Sequence, residues 1–366
     1  MNKKLISLLL SAALAVSMLT VPAFAAEGGE ADAALDETNE VVVTLGDTVT
    51  ASTVEDTDKA AADKTAADKT ETADSAPAAS TEKKQITYVA LGDSIVAGVG
   101  LADVKYTNDS TTLYSVDMSP NFKGYSPDCY VGKVGTMLGL DRDHAINLGL
   151  PAVMTNDLAD LIETGAMPAM NQYSGVQYTS VPELQEYIPQ ADLITLQVGA
   201  NDALIRTIVA LGEATNWKSE KLANGMVAGL FRNLTPDNFQ MFMDGLKQLT
   251  LTPAEFRAVM NLLTSGMGQI CSQTYAQTTA DLERIVKDIR ELNPDCQIMI
   301  MGYNNPVPLM SSWSSHFRKL NNFAKNLAAK YDLTYVAIPC TRTANDGHPT
   351  VAGHRYIGRQ IIKNLR

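Results

Sequence analysis

Three short blocks carry residues that can do chemistry together. Tyr88-Val89-Ala90-Leu91 is an apolar run that breaks into Gly92-Asp93-Ser94. Leu193-Ile194-Thr195-Leu196-Gln197-Val198 ends in Gly199-Ala200-Asn201-Asp202, and near the C-terminus stands Asp346-Gly347-His348-Pro349. A serine at a strand-to-helix turn lies near unpaired backbone N–H groups and the positive end of a helix dipole, which suits a nucleophile whose reaction develops negative charge. Ester hydrolysis by such a serine needs a base for its proton and donors aimed at the oxyanion. The tripeptide alone also fits an ordinary turn with an N-cap serine.

Only four histidines compete for the role of base. His144 precedes the short apolar run Ala145–Leu148, at what should be the amino end of a strand. His316, in Ser314-Ser315-His316-Phe317, reads as part of a helix beginning near Ser312. His348 and His354 follow the last apolar run, and His348 stands in an extended pre-proline position.

The order Gly-Asp-Ser, Gly-x-Asn-Asp, His-Pro resembles the GDSL or SGNH hydrolase family over roughly residues 85–366. That resemblance implies a serine esterase or lipase with Ser94 as nucleophile and His348 as base, with no metal and no cofactor. His354 then begins the final helix as a structural residue. The family's aspartate stands three residues before the histidine, a position held here by Asn345. The nearest aspartate is Asp346. Either Asp346 orients His348 through a shifted turn, or a backbone carbonyl does so and leaves a Ser-His dyad. For the oxyanion hole, Asn201 matches the family's side-chain donor, and the Ser94 N–H is a further donor. The family's glycine block matches Asn147-Leu148-Gly149-Leu150-Pro151-Ala152-Val153-Met154-Thr155, with Asp157 and Leu158 in step. Ala152 therefore occupies the glycine donor's place and supplies its N–H if φ there is negative. Gly149 is the alternative donor. Pro151-Ala152 also fits a rigid loop with no catalytic part.

The elements that must position these residues follow from apolar patterning. Ile86–Leu91, Ala145–Leu148, Leu193–Val198, Gln297–Met301 and Leu333–Ile338 read as buried strands. Helical patterns separate them, clearest from Thr279 to Leu292 with Leu282, Ile285, Val286 and Ile289 on one face. Alternating strands and helices predict an α/β protein, a three-layer α/β/α sandwich around a parallel sheet. The resemblance adds that it is SGNH- or flavodoxin-like. Sites of such sheets lie beyond the carboxyl ends of the strands, where all three blocks fall. Residues 203–270 read as a helical insertion: Thr252-Pro253-Ala254-Glu255 combines an N-cap, a first-turn proline and a capping-box glutamate, and Thr235-Pro236 starts another helix in the same way. Its methionines Met226, Met241, Met243, Met260 and Met267, and the tyrosines Tyr106, Tyr114, Tyr125 and Tyr130 of residues 100–141, fit either an acyl-binding wall or plain core packing.

Ahead of this domain the chain changes character. Lys3 and Lys4 precede the apolar run Leu5–Leu19, and Ala23-Phe24-Ala25 supplies a small-x-small cleavage pattern, so residues 1–25 read as a signal peptide cleaved near Ala25. Residues 26–84 hold 15 acids and 5 bases, with a direct repeat of Ala-Ala-Asp-Lys-Thr from Ala61, and bury too little apolar surface to order themselves. Val41–Thr48 imitates the first strand, with Thr48 in place of the serine, and reads as a short isolated strand or coil. Residues 85–366 carry 26 acids and 22 bases, so the net charge of −12 belongs mostly to the linker. Neither a basic patch nor a phosphate-cradling glycine loop argues for nucleic acid, and no second long apolar run predicts a stable membrane anchor. The expectation is a secreted protein acting on a small-molecule, lipid or acylated-glycan ester. Two other readings are a carbohydrate or cell-wall O-acetyl esterase and a catalytically weak surface-binding domain. Cys129, Cys271, Cys296 and Cys340 fit three disulfide pairings or buried free thiols, and no spacing resembles a zinc site.

Overall fold

The structure is a computed structural model that describes residues 41–42, 52–53, 85–104, 126–218, 250–304, 311–339, 343 and 348–365. The readings on the signal peptide, most of the acidic linker, Val43–Thr48, Tyr106, Tyr114, Tyr125, Met226, Thr235-Pro236, Met241, Met243, Cys340, Asn345 and Asp346 lie outside these residues. In the linker, Val41–Val42 pairs antiparallel with Ser52–Thr53.

Five strands form one parallel sheet: β1 (Tyr88–Gly92), β2 (Ala145–Gly149), β3 (Leu193–Gln197), β4 (Gln297–Met301) and β5 (Thr334–Val336). Their order is β2-β1-β3-β4-β5. Gly92 pairs with Gly149 on one side and Gln197 on the other, so the first three strands end level. The chain steps outward from β1 to β2 and then returns to β3 on the opposite side of β1. This reversal opens a crevice at the strands' carboxyl ends, where neighbouring loops diverge.

Alternation along the strands divides the core. Val89, Leu91, Ile146, Leu148, Ile194, Leu196, Ile298 and Ile300 face one helical layer. It comprises α3 (Thr155–Thr164), α4 (Glu183–Tyr187), α5 (Ala200–Ala214), α6 (Pro253–Asn261), α7 (Met267–Leu292) and α8 (Ser311–Lys330). Tyr88, Ala90, Ala145, Leu193, Met299 and Met301 face the other. There lie α1 (Ser94–Ala97), α2 (Tyr130–Leu138) and α9 (Val351–Lys363). Each fully buried Val, Leu or Ile in these layers contributes about 1.5–3 kcal/mol.

The helix expected from Thr279 begins twelve residues earlier, at Met267, and a π-helical turn over Leu262–Gly266 joins it to α6. The buried stripe of its first half is Met267, Cys271, Thr274 and Thr278. Thr274 and Thr278 donate their hydroxyls to the carbonyls four residues back, Ile270 and Thr274, so polar residues occupy core positions without an unmet hydrogen bond. Apolar periodicity does not register such a stripe. At α6 the capping box forms as read, with Thr252 Oγ1 accepting from Glu255 N–H and Glu255 Oε2 accepting from Thr252 N–H. Met260 is half-buried and Met267 buried against the first core layer, and Tyr130 is buried in the second, so these three serve packing. No helix among the described residues is long and apolar enough to cross a membrane.

Candidate active site at the carboxyl edge of the sheet

Gly92 ends β1 with φ of +149°, and a Cβ there would lie 1.9 Å from the Gln197 carbonyl oxygen. Only glycine lets β1 close this tightly on β3, and Asp93 N–H then donates to that same oxygen at 3.2 Å. Asp93, not Ser94, is the N-cap of α1: its Oδ1 accepts the Ile95 N–H at 3.0 Å. Capping therefore does not consume the serine. Ser94 is half-buried, and its Oγ lies 2.9 Å from His348 Nε2. His348 stands beside the bridge between Thr343 and Pro349, two residues before Thr350 caps α9. The imidazole is thus delivered to the serine from the chain that follows β5.

The other oxygen of Asp93 accepts the Tyr303 hydroxyl at 2.5 Å. Tyr303 lies just past β4, and its backbone is clasped by Asn321, whose Oδ1 accepts the Tyr303 N–H while its Nδ2 donates to the Tyr303 carbonyl. Burial raises the Asp93 carboxyl above its usual range. The bonds from Tyr303 and Ile95 and the field of His348 oppose that rise. Burial and the adjacent carboxylate push the Tyr303 phenol well up, so it remains a donor. The sequence reading missed Tyr303. Its signal was its position two residues past the end of the Gln297–Met301 run, at the edge where the other blocks gather.

After β2, Asn147 Nδ2 donates to the Val96 carbonyl and Asn147 Oδ1 accepts the Gly149 N–H, both at 2.9 Å. The N–H of Gly149 is therefore already engaged in the strand-end staple. A Cβ on Gly149 would lie 2.2 Å from the Ala97 backbone nitrogen, so this glycine serves close approach of α1 to β2. Leu150 N–H then donates to the Gly92 carbonyl, and Val153 N–H closes a turn on the Leu150 carbonyl. Within that turn Ala152 has φ of +61°. The expectation of a negative φ is therefore corrected: alanine adopts the left-handed conformation, at about 1–2 kcal/mol, and since the N–H is present at either sign of φ, the sign decides strain and not whether a donor exists. Asn201 Nδ2 donates to the Val153 carbonyl at 3.0 Å, which draws the turn against the start of α5. Asp202 accepts from Thr155 N–H and Oγ1, and burial pushes its carboxyl up to about 6.

The family model described as GDSL-like Lipase/Acylhydrolase matches residues 90–356, which takes in Ser94, the Asn147–Thr155 block, Asn201 and His348. The chain belongs to this GDSL-like family. No curated protein sequence matches it. Among solved structures it is similar to phospholipase A1 from Streptomyces albidoflavus NA297, at 15% identity and TM-score 0.41, covering 77% of this chain and 100% of that one. It is also similar to an extracellular lipase from Streptomyces rimosus, at 14% identity and TM-score 0.43, covering 76% and 100%. A third is a catalytic mutant of Axe2, an acetylxylan esterase from Geobacillus stearothermophilus, at 13% identity and TM-score 0.37, covering 76% and 93%.

In this GDSL-like chain the other histidines stand where packing, not chemistry, explains them. His144 ends the turn before β2 and pairs with Asp141 at 2.6 Å. His316 is buried in α8, edge-on to Trp313 and Phe317. His354 is fully buried in α9, its Nδ1 accepts the Tyr130 N–H, and burial pushes its pKa down to about 4. Cys129, Cys271 and Cys296 are buried free thiols. The crevice so built brings a hydroxyl and an imidazole into hydrogen-bond contact at one edge. Ser94, the Ala152 turn, Asn201, Tyr303 and His348 each follow a different strand.

Proposed function

We propose that this chain is an exported serine esterase of the lipase or acylhydrolase type. The observation that carries the reading is the 2.9 Å contact between Ser94 Oγ and His348 Nε2. Ser94 Oγ attacks the acyl carbon as its proton passes to His348 Nε2. The carbonyl oxygen becomes an oxyanion, held by the N–H groups of Ser94 and Ala152 and by the Asn201 side-chain amide. Collapse expels the alcohol, which takes the proton from His348 and leaves an acyl-Ser94 ester. Water, deprotonated by the same imidazole, then attacks the acyl carbon, and the acid departs as Ser94 recovers its proton. Asp346 holds His348 in the right tautomer. No step calls for a metal or organic cofactor, and the substrate is a small-molecule, lipid or acylated-glycan ester met outside the cell.

A fluorophosphonate probe tests this directly: it should label the wild type on Ser94 and fail to label Ser94→Ala. A series of nitrophenyl esters of increasing acyl length, run beside an acetylated glycan, separates a lipase from a carbohydrate O-acetyl esterase. Absence of both labelling and turnover in the folded wild type would leave a binding domain on an esterase fold.

A further inference from the structure

Leu150-Pro151-Ala152-Val153 is a hydrogen-bonded β-turn, closed by Val153 N–H on the Leu150 carbonyl at 3.2 Å. Proline at its second position suits both common turn types. A positive φ at its third position marks type II, which favours glycine there. Types I and II differ mainly by a flip of the central peptide, here the one joining the Pro151 carbonyl to the Ala152 N–H. For Leu-Pro-Ala-Val in isolation type I is the relaxed form, since alanine then escapes the left-handed region.

Something must hold the strained form. The Tyr178 hydroxyl donates to the Pro151 carbonyl at 2.8 Å. Because a trans peptide is planar, fixing that carbonyl also fixes the opposed N–H of Ala152. Tyr178 is itself buried, and its backbone is tied to Met167, whose N–H donates to the Tyr178 carbonyl at 2.8 Å. Asn201 on the Val153 carbonyl and Asp202 on the Thr155 N–H anchor the exit of the turn, but neither touches the central peptide. We propose that Tyr178 is a positioning residue: its bond to the Pro151 carbonyl selects the type II form of this turn and so aims the Ala152 N–H. This rests on the reading of Ala152 as an oxyanion donor.

The test is a double-mutant cycle of Tyr178→Phe and Ala152→Gly, read in kcat, KM and thermal midpoint. Tyr178→Phe should lower kcat on a short nitrophenyl ester by about tenfold with KM within about twofold, since an oxyanion donor acts in the transition state. In the Ala152→Gly background, where the left-handed form carries no strain, the same change should cost less than about threefold. Ala152→Gly alone should raise the midpoint by roughly 3 °C, and by clearly less once Tyr178→Phe has let the turn relax. Equal effects of Tyr178→Phe in both backgrounds, in rate and in midpoint, would overturn the inference. If the wild type neither turns over esters nor takes the fluorophosphonate, the esterase reading fails, and the midpoint cycle still decides whether Tyr178 holds the turn.

Discussion

Tyr303→Phe removes one oxygen from the molecule, and the cost follows from what that oxygen meets. It donates at 2.5 Å to Asp93, a carboxyl only 1% exposed that also caps Ile95. Deleting a bond to a buried charged group costs about 1.5–3 kcal/mol, against about 0.5–1.5 for a neutral one. Burial holds the Asp93 pKa above its unfolded value, so the ionised form opposes folding, and that opposition grows as pH rises from the unfolded to the folded pKa. Tyr303 favours the ionised form, so its loss raises the folded pKa further. The penalty of Tyr303→Phe is therefore largest at neutral and alkaline pH and shrinks as the carboxyl protonates. Urea unfolding should show a loss of about 2–3 kcal/mol near pH 8, equivalent to roughly 4–9 °C in midpoint, and a smaller loss at acid pH, where the carboxyl is protonated. The turn that Asp93 caps also carries Ser94, so turnover should fall together with stability. A loss independent of pH, or one below about 0.5 kcal/mol near pH 8, would refute the reasoning.

His348→Ala should cost about as much turnover as Ser94→Ala, because members of one catalytic unit do not add, whereas the soluble fraction of His354→Ala should keep its activity per folded molecule. Steady-state rates normalised to folded protein check this ranking. Asp346→Asn should lower kcat by on the order of 10³–10⁴, and Asn345→Asp should change it little. Less than about a tenfold loss at Asp346 would reduce the site to a Ser94-His348 dyad. Asp202 has a folded pKa of about 6 against a usual 3.8, so its ionisation opposes folding and stability should fall as pH rises across that window. Asp202→Asn should flatten the slope of unfolding free energy between about pH 4 and pH 6, worth on the order of 3 kcal/mol as an upper bound. Denaturant melts of both proteins across that range measure it.

Much of the architecture was legible because a parallel sheet buried on both faces needs nearly unbroken apolar strands. Tyr88–Leu91, Leu193–Gln197 and Gln297–Met301 could be read almost residue for residue. The approach of Ser94 and His348 was legible too, since few histidines stood past a strand's carboxyl end, and the structure brings the two side chains to 2.9 Å. What the sequence hid was chemistry carried by shape. A stripe of Cys271, Thr274 and Thr278 has no apolar period, so the first half of α7 was silent. Nothing local assigns the capping of α1 to Asp93 rather than Ser94, and nothing local brings Tyr303 to Asp93 across 210 positions. Ala152 is the sharpest case. Alanine at that position argues for a negative φ, and the chain around it would take a relaxed turn. The left-handed conformation coincides with a grip from afar: the Tyr178 hydroxyl donates to the Pro151 carbonyl within the turn, and Asn201 anchors its exit at the Val153 carbonyl. The sequence by itself determined the sheet and the helical layers, since these depend on residue type and period. Only the tertiary structure decided how the Pro151–Ala152 peptide is turned, because a peptide's orientation is set by its partners and not by the side chains it joins.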